Sequence, residues 1–105
     1  MKKYAWTWNV KPEFVEEYVR MHKNPWPEIM EAHSKAGFHN YSIFRNGCQF
    51  FYVFETDDEA KARQGCADDE YCIKWNNIAM QMIESNFGTR VESGIEYLEE
   101  VFYLP

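Results

Sequence analysis

The chain has few cysteines, few glycines and few positive charges. Its three cysteines, Cys48, Cys66 and Cys72, form no C-x-x-C pair. An odd count of that kind predicts reduced thiols and a cytoplasmic protein rather than a disulfide framework. Eleven Lys and Arg stand against 17 Asp and Glu, for a formal net charge of -6. That balance disfavours nucleic acid and anionic membranes as partners, because both are captured by positive fields. The longest apolar run, Phe50 to Phe54, is far too short to span a bilayer. Lys2 and Lys3 precede Trp6-Thr7-Trp8-Asn9, which is no signal-peptide core. The five glycines make no phosphate-binding loop, there is no G-x-S-x-G, and no cysteine has a plausible paired base. Nucleotide, phosphoryl-transfer and hydrolase chemistries therefore find no support.

What is abundant is aromatic: 18% of the 105 residues are Phe, Trp or Tyr. The length suits one domain over residues 1–105. Residues 3–10 alternate, with Tyr4, Trp6, Trp8 and Val10 on one side, and predict a strand. Pro12 opens a helix carrying Phe14, Tyr18, Met21 and His22 at helical spacing. Pro25 and Pro27 interrupt it, and a second piece runs to Ala36 with Gly37 as its stop. Residues 38–45 and 48–55 predict two strands around Asn46-Gly47, a strong hairpin signal. Thr56 or Asp57 caps a short helix toward Ala67; Asp68 caps the next, whose stripe is Cys72, Trp75, Ala79, Met82 and Ile83. A loop from Asn86 to Ser93 and a last strand from Ile95 to Leu104 complete the chain. The order β-α-β-β-α-β predicts an α+β, ferredoxin-like sandwich. Helices on one side leave an open sheet face, expected to be rich in aromatic rings and covered by a second copy in a homodimer.

The densest chemistry lies in Tyr18, His22 and Asn24-Pro25-Trp26-Pro27-Glu28. On a helix, residues four apart share a face, with Cβ atoms about 5–6 Å apart. Imidazole titrates at about 6.5, so a phenol beside it makes a proton-moving pair near neutral pH. Trp26 adds a flat apolar plate. Such a set suits a neutral, ring-shaped, hydroxylated substrate. Tyr41, on a strand face with His39 and Ile43, offers another hydroxyl; taken singly, a core tyrosine is the commoner case. Trp75 and Asn76 sit mid-helix, where the ring is ordinarily core and the amide ordinarily exposed, yet the amide brings two donors and an acceptor. His22, His33 and His39 are spaced by 11 and 6 residues, which matches no compact metal motif, so no metal site is expected.

Glu17-Tyr18-Val19-Arg20-Met21-His22 with Trp26-Pro27-Glu28, the strand His39-Asn40-Tyr41-Ser42-Ile43, Trp75, and the tail Glu100-Val101-Phe102-Tyr103-Leu104-Pro105 together resemble the L-rhamnose mutarotase family, in colinear order over nearly the whole chain. The resemblance implies a dimeric α/β-barrel built from ferredoxin-like halves, acting on a free sugar without a cofactor. It implies that His22 is the proton donor and that Tyr18, Tyr41, Trp75 and Asn76 contact the sugar; the sugar's C–H faces can pack on Trp26 or Trp75. Members acting on rhamnose often carry Trp-Trp where this chain has Trp75-Asn76, and arginine where it has Met21. An amide in place of an indole exchanges an apolar wall for a hydrogen-bonding edge. The expected substrate is therefore a free deoxysugar such as L-rhamnose or L-fucose, whose α and β anomers interconvert by ring opening. A non-catalytic sugar-binding module and a small-molecule oxygenase on the same barrel are the competing readings.

Overall fold

A computed structural model describes residues 1–84 and 95–105. The loop expected from Asn86 to Ser93 lies outside the described residues. Three strands, β1 (Lys2–Asn9), β2 (His39–Asn46) and β3 (Gln49–Thr56), form one antiparallel sheet in the order β1-β3-β2. Four helices accompany it: α1 (Val15–Lys23), α2 (Pro27–Ala36), α3 (Glu59–Ala67) and α4 (Glu70–Ala79). Single 3₁₀ turns precede α1 and follow α4. The architecture is α+β and ferredoxin-like, as the element order implies.

Local chemistry sets the boundaries. Pro12 and Pro27 occupy first-turn positions, where a missing N–H costs nothing. Trp26 is the extended residue between α1 and α2. Gly37 closes α2 at φ +108°, a conformation that side chains rarely adopt, and its N–H reaches the carbonyls of His33 and Ser34. The caps of α3 and α4 each fall one residue beyond the expected position. Asp58 accepts from the Lys61 N–H, and Asp69 accepts from those of Tyr71 and Cys72. Thr56 is still in β3, and its hydroxyl instead accepts from the Asp58 N–H, which starts the turn.

The aromatic sheet face is the helix-covered one, contrary to the expectation that rings would line the open side. Trp6 opposes Tyr52 and Tyr4 opposes Phe54. The rings of Trp6 and Tyr52 stack 4.6 Å apart and 6° from parallel. These residues, with Phe50, Val10, Val15 and Tyr18, form the main core. A second cluster of Ile29, Cys66, Cys72 and Trp75 fills the space among α2, α3 and α4. On the open face the residues are mixed: Ala5 opposes Val53, Thr7 opposes Phe51, and Phe51 opposes Phe44. Strand β3 alternates buried and less buried positions because only this one face is covered.

Residues 95–104, expected as a strand, join none of the three described strands as a fourth. One hydrogen bond, from the Leu98 N–H to the Ala5 carbonyl at 2.7 Å, touches the outer edge of β1. Tyr97 packs on Tyr4, and its hydroxyl donates to Glu59. Beyond that Val101 and Phe102 are 85% and 77% exposed, and the Tyr103 ring lies 5.2 Å from the Lys3 ammonium. A strand needs a ladder, and among the described residues none forms after Leu98.

Candidate active site

A cavity of about 850 Å³ opens between α1, α2, strand β2 and the ring of Trp75. Apolar walls come from Val19, Ile29, Phe38, Ile43 and Phe50; His22, His33, Asn40, Tyr41 and Arg45 supply the polar groups. That composition, apolar with a few convergent polar groups, is the usual make-up of a small-molecule site.

His22 sits on the last turn of α1. Its Nδ1 donates to the main-chain oxygen of Tyr18 at 2.7 Å. An oxygen there accepts only, so Nδ1 carries the proton and Nε2 keeps the free lone pair. The imidazole lies between two rings, with the Tyr18 centroid 4.3 Å away and the Trp75 centroid 5.3 Å away. Burial lowers the pKa of His22 below its ordinary value, and the hydrogen bond to the Tyr18 carbonyl opposes that shift in part. The neutral form is the resting state at neutral pH.

Tyr18 lies under this ring and is 2% exposed. Its hydroxyl is 2.7 Å from that of Tyr52 on β3. Burial pushes the Tyr18 phenol up to about 12, against the pull of the Tyr52 hydroxyl. Burial raises Tyr52 further still. Both phenols stay protonated, and Tyr18 meets His22 through its carbonyl and the face of its ring rather than through its hydroxyl.

Tyr41 lines the cavity with Ile43, next to a β-bulge in β2. The pairing of β2 with β3 slips between His39 and Ser42, and Asn40 takes φ +49°. Asparagine tolerates this left-handed conformation better than most residues, and its Nδ2 donates to Glu55 Oε1 at 2.7 Å. Tyr41 keeps the regular register set by Ser42 and Ile43 and stacks on Phe54 (centroids 5.5 Å apart), while His39, on the far side of the slip, stays opposite Glu55. His39 and Tyr41, expected on one face, are thereby parted.

Of the six residues singled out in the sequence, His22, Tyr41 and Trp75 line the cavity. Trp26 stands behind Trp75 with its ring edge-on at 5.2 Å. Tyr18 lies beneath His22. Asn76 is exposed on α4 and is not among the residues lining this cavity. Sequence reasoning overlooked Asn40, Arg45 and Tyr52. Asn40 alone carried a local signal, an asparagine inside a strand.

Known proteins resemble the chain in sequence and in fold. A family profile described as L-rhamnose mutarotase matches residues 3–104. L-rhamnose mutarotases of Tolumonas auensis and Bacillus subtilis are 37% and 36% identical, each alignment covering 99% of both chains. Among solved structures, an L-rhamnose mutarotase from Formosa agariphila superposes with a TM-score of 0.76 at 20% identity, covering both chains fully. An antibiotic biosynthesis monooxygenase shares the fold at a TM-score of 0.66 and 15% identity, over 96% of this chain and 99% of its own. By sequence over its full length and by fold, the chain belongs to the L-rhamnose mutarotase family.

Proposed function

We propose that His22 moves the protons in an enzyme that interconverts the α and β anomers of a free deoxysugar, with L-rhamnose and L-fucose the first candidates. The observation that carries this reading is the fixed tautomer of His22, whose ring borders an aromatic-walled cavity. As a member of its family the chain is a mutarotase, an isomerase acting on anomers.

Mutarotation needs only proton transfer. Nε2 of neutral His22 accepts the proton of the anomeric hydroxyl. The O–H electron pair becomes the second bond of the aldehyde, and the C1–O5 pair leaves on the ring oxygen. The imidazolium so formed returns the proton to that oxygen, directly or through a water. Rotation about C1–C2 and the reverse sequence close the other anomer. The carbonyl of Tyr18 stabilises the imidazolium by accepting from Nδ1–H throughout. The protonated phenols are unsuited to act as bases; Tyr41 offers a hydroxyl to the sugar and Trp75 an apolar plate backed by Trp26, whereas Asn76, outside the cavity, takes no part. Positioned acid/base groups of this kind contribute about 10²–10⁴-fold.

The working unit is a homodimer in which the exposed Val101–Leu104 segment pairs with a second copy, and the three free thiols suit the cytoplasm. Saturation-transfer NMR on a panel of free deoxysugars tests the reading. Accelerated anomer exchange that disappears in folded His22→Gln supports it. Exchange no faster than in buffer for every sugar, or a His22→Gln rate equal to wild type, refutes it.

A further inference from the structure

Behind the cavity wall, α2, α3 and α4 bring together His33, Cys66 and Cys72. One ligand atom from each lies within 4.8 Å of the others. Among the described residues no other three histidine, cysteine or acidic side chains are grouped in this way. Both cysteines are buried, and their thiols lie within hydrogen-bond reach of each other. We propose that His33, Cys66 and Cys72 bind a thiophilic d¹⁰ cation of the zinc class, at a site separate from His22.

Four features of the cluster argue for it. First, the ligand types match: two soft sulfurs and an imidazole are the donors that zinc and its heavier congeners prefer over carboxylate-only sets. Second, the imidazole is already oriented. His33 Nδ1 donates to the Ile29 carbonyl at 2.8 Å, leaving Nε2 with the lone pair. A ring N–H held by a main-chain carbonyl is the usual outer partner of a metal-bound histidine. Third, the charge balances. Binding releases one proton from each thiol, and two thiolates neutralise a dication, so no net charge is buried. Fourth, the helices are held close here. A Cβ placed on Gly65 would stand 2.9 Å from the Cβ of Ala36, so the chain needs glycine beside Cys66 to let α2 and α3 approach.

Tetrahedral zinc, with Zn–S bonds of about 2.3 Å, separates its sulfurs by about 3.8 Å, so only a modest contraction of the cluster is needed. Three protein ligands leave one coordination position open. His33 itself lines the cavity, and its ring touches those of Phe38 and Tyr41 at 5.3 and 5.9 Å. Metal at this site would tie α2 to α3 and α4 and fix that wall.

The test uses the full-length protein, reduced and metal-free, titrated with Co²⁺ and then with Zn²⁺. The expected result is one Co²⁺ per chain with a thiolate-to-cobalt charge-transfer band, displaced by Zn²⁺. The band should persist in Cys48→Ser and vanish in Cys66→Ser/Cys72→Ser. His33→Gln should weaken binding by more than the roughly 10–100-fold typical of losing an outer partner. Absence of the band, or a band that depends on Cys48, overturns the proposal. Should the double variant not fold, wild type decides the matter. Zn²⁺ shielding Cys66 and Cys72, but not Cys48, from alkylation supports the site, and equal alkylation with and without Zn²⁺ refutes it.

Discussion

The main-chain oxygen of Tyr18 holds the Nδ1–H of His22 at 2.7 Å, so the two residues are coupled through the backbone. The phenol of Tyr18 is engaged elsewhere, with Tyr52. The phenol–imidazole pair expected from the i, i+4 spacing is in place, but its parts divide the labour. The carbonyl orients the imidazole, and the ring beneath supports it.

Replacing His22 by Gln should lower enzyme-catalysed anomer exchange by about 10²–10⁴-fold. The side chain is only half-buried, so circular dichroism should be unchanged. Exchange rates from saturation-transfer NMR provide the check.

The pH dependence follows from the lowered pKa of His22. Catalysis by the neutral ring should be level above about 6.5 and fall on acidification, through the depressed value. Stability should move the same way. Between the folded value and about 6.5 the unfolded chain binds more protons, so the contribution is complete above 6.5 and is lost as pH falls. Tyr18 acts at the other end: its phenol is raised to about 12, so its contribution is complete below about 10 and is lost as pH rises through about 12. Urea midpoints against pH should show both limbs, and His22→Gln should remove the acid one.

Tyr52→Phe should cost about 1–3 kcal/mol by leaving the Tyr18 hydroxyl buried without its partner. Tyr18→Phe/Tyr52→Phe should cost less than the two single changes added, since it leaves no orphan. A double-mutant cycle by urea denaturation measures the coupling.

Gly65→Ala should destabilise although alanine favours helix. The added methyl meets Ala36 Cβ at 2.9 Å, and crowding of this kind costs about 1–3 kcal/mol, more than the helix-propensity gain of up to about 1 kcal/mol. Gly65→Ala/Ala36→Gly should recover part of the loss in thermal melts.

Removal of residues 101–105 should shift the protein from dimer toward monomer. Val101, Phe102 and Leu104 are at least 77% exposed in their own chain. Sedimentation velocity on both forms reads the result.

Much of this was legible in the sequence because it is local. Pro25 and Pro27 had to break the first helix, Gly37 had to end the second, and Asn46-Gly47 had to turn the hairpin. Alternation placed Tyr4, Trp6 and Trp8 on one face, but periodicity cannot say which face the helices choose. The pairing of Tyr18 with Tyr52, 34 residues apart, depends on packing α1 onto β3 and leaves no local trace. The strand expected from Ile95 to Leu104 is not one among the described residues, because a ladder takes two partners and the composition of one segment cannot supply the other. The metal candidates failed as three histidines because the fold gathers His33 with two cysteines from other helices instead.

The extra residue in β2 has a consequence for how such a cavity can change. A bulge takes up one extra residue without changing which faces its neighbours use. Deleting Asn40 would restore regular pairing, with Tyr41 still beside Ile43 on the cavity side and His39 still opposite Glu55. A single-codon deletion could therefore strip one amide from the cavity wall while every aromatic ring around it keeps its place.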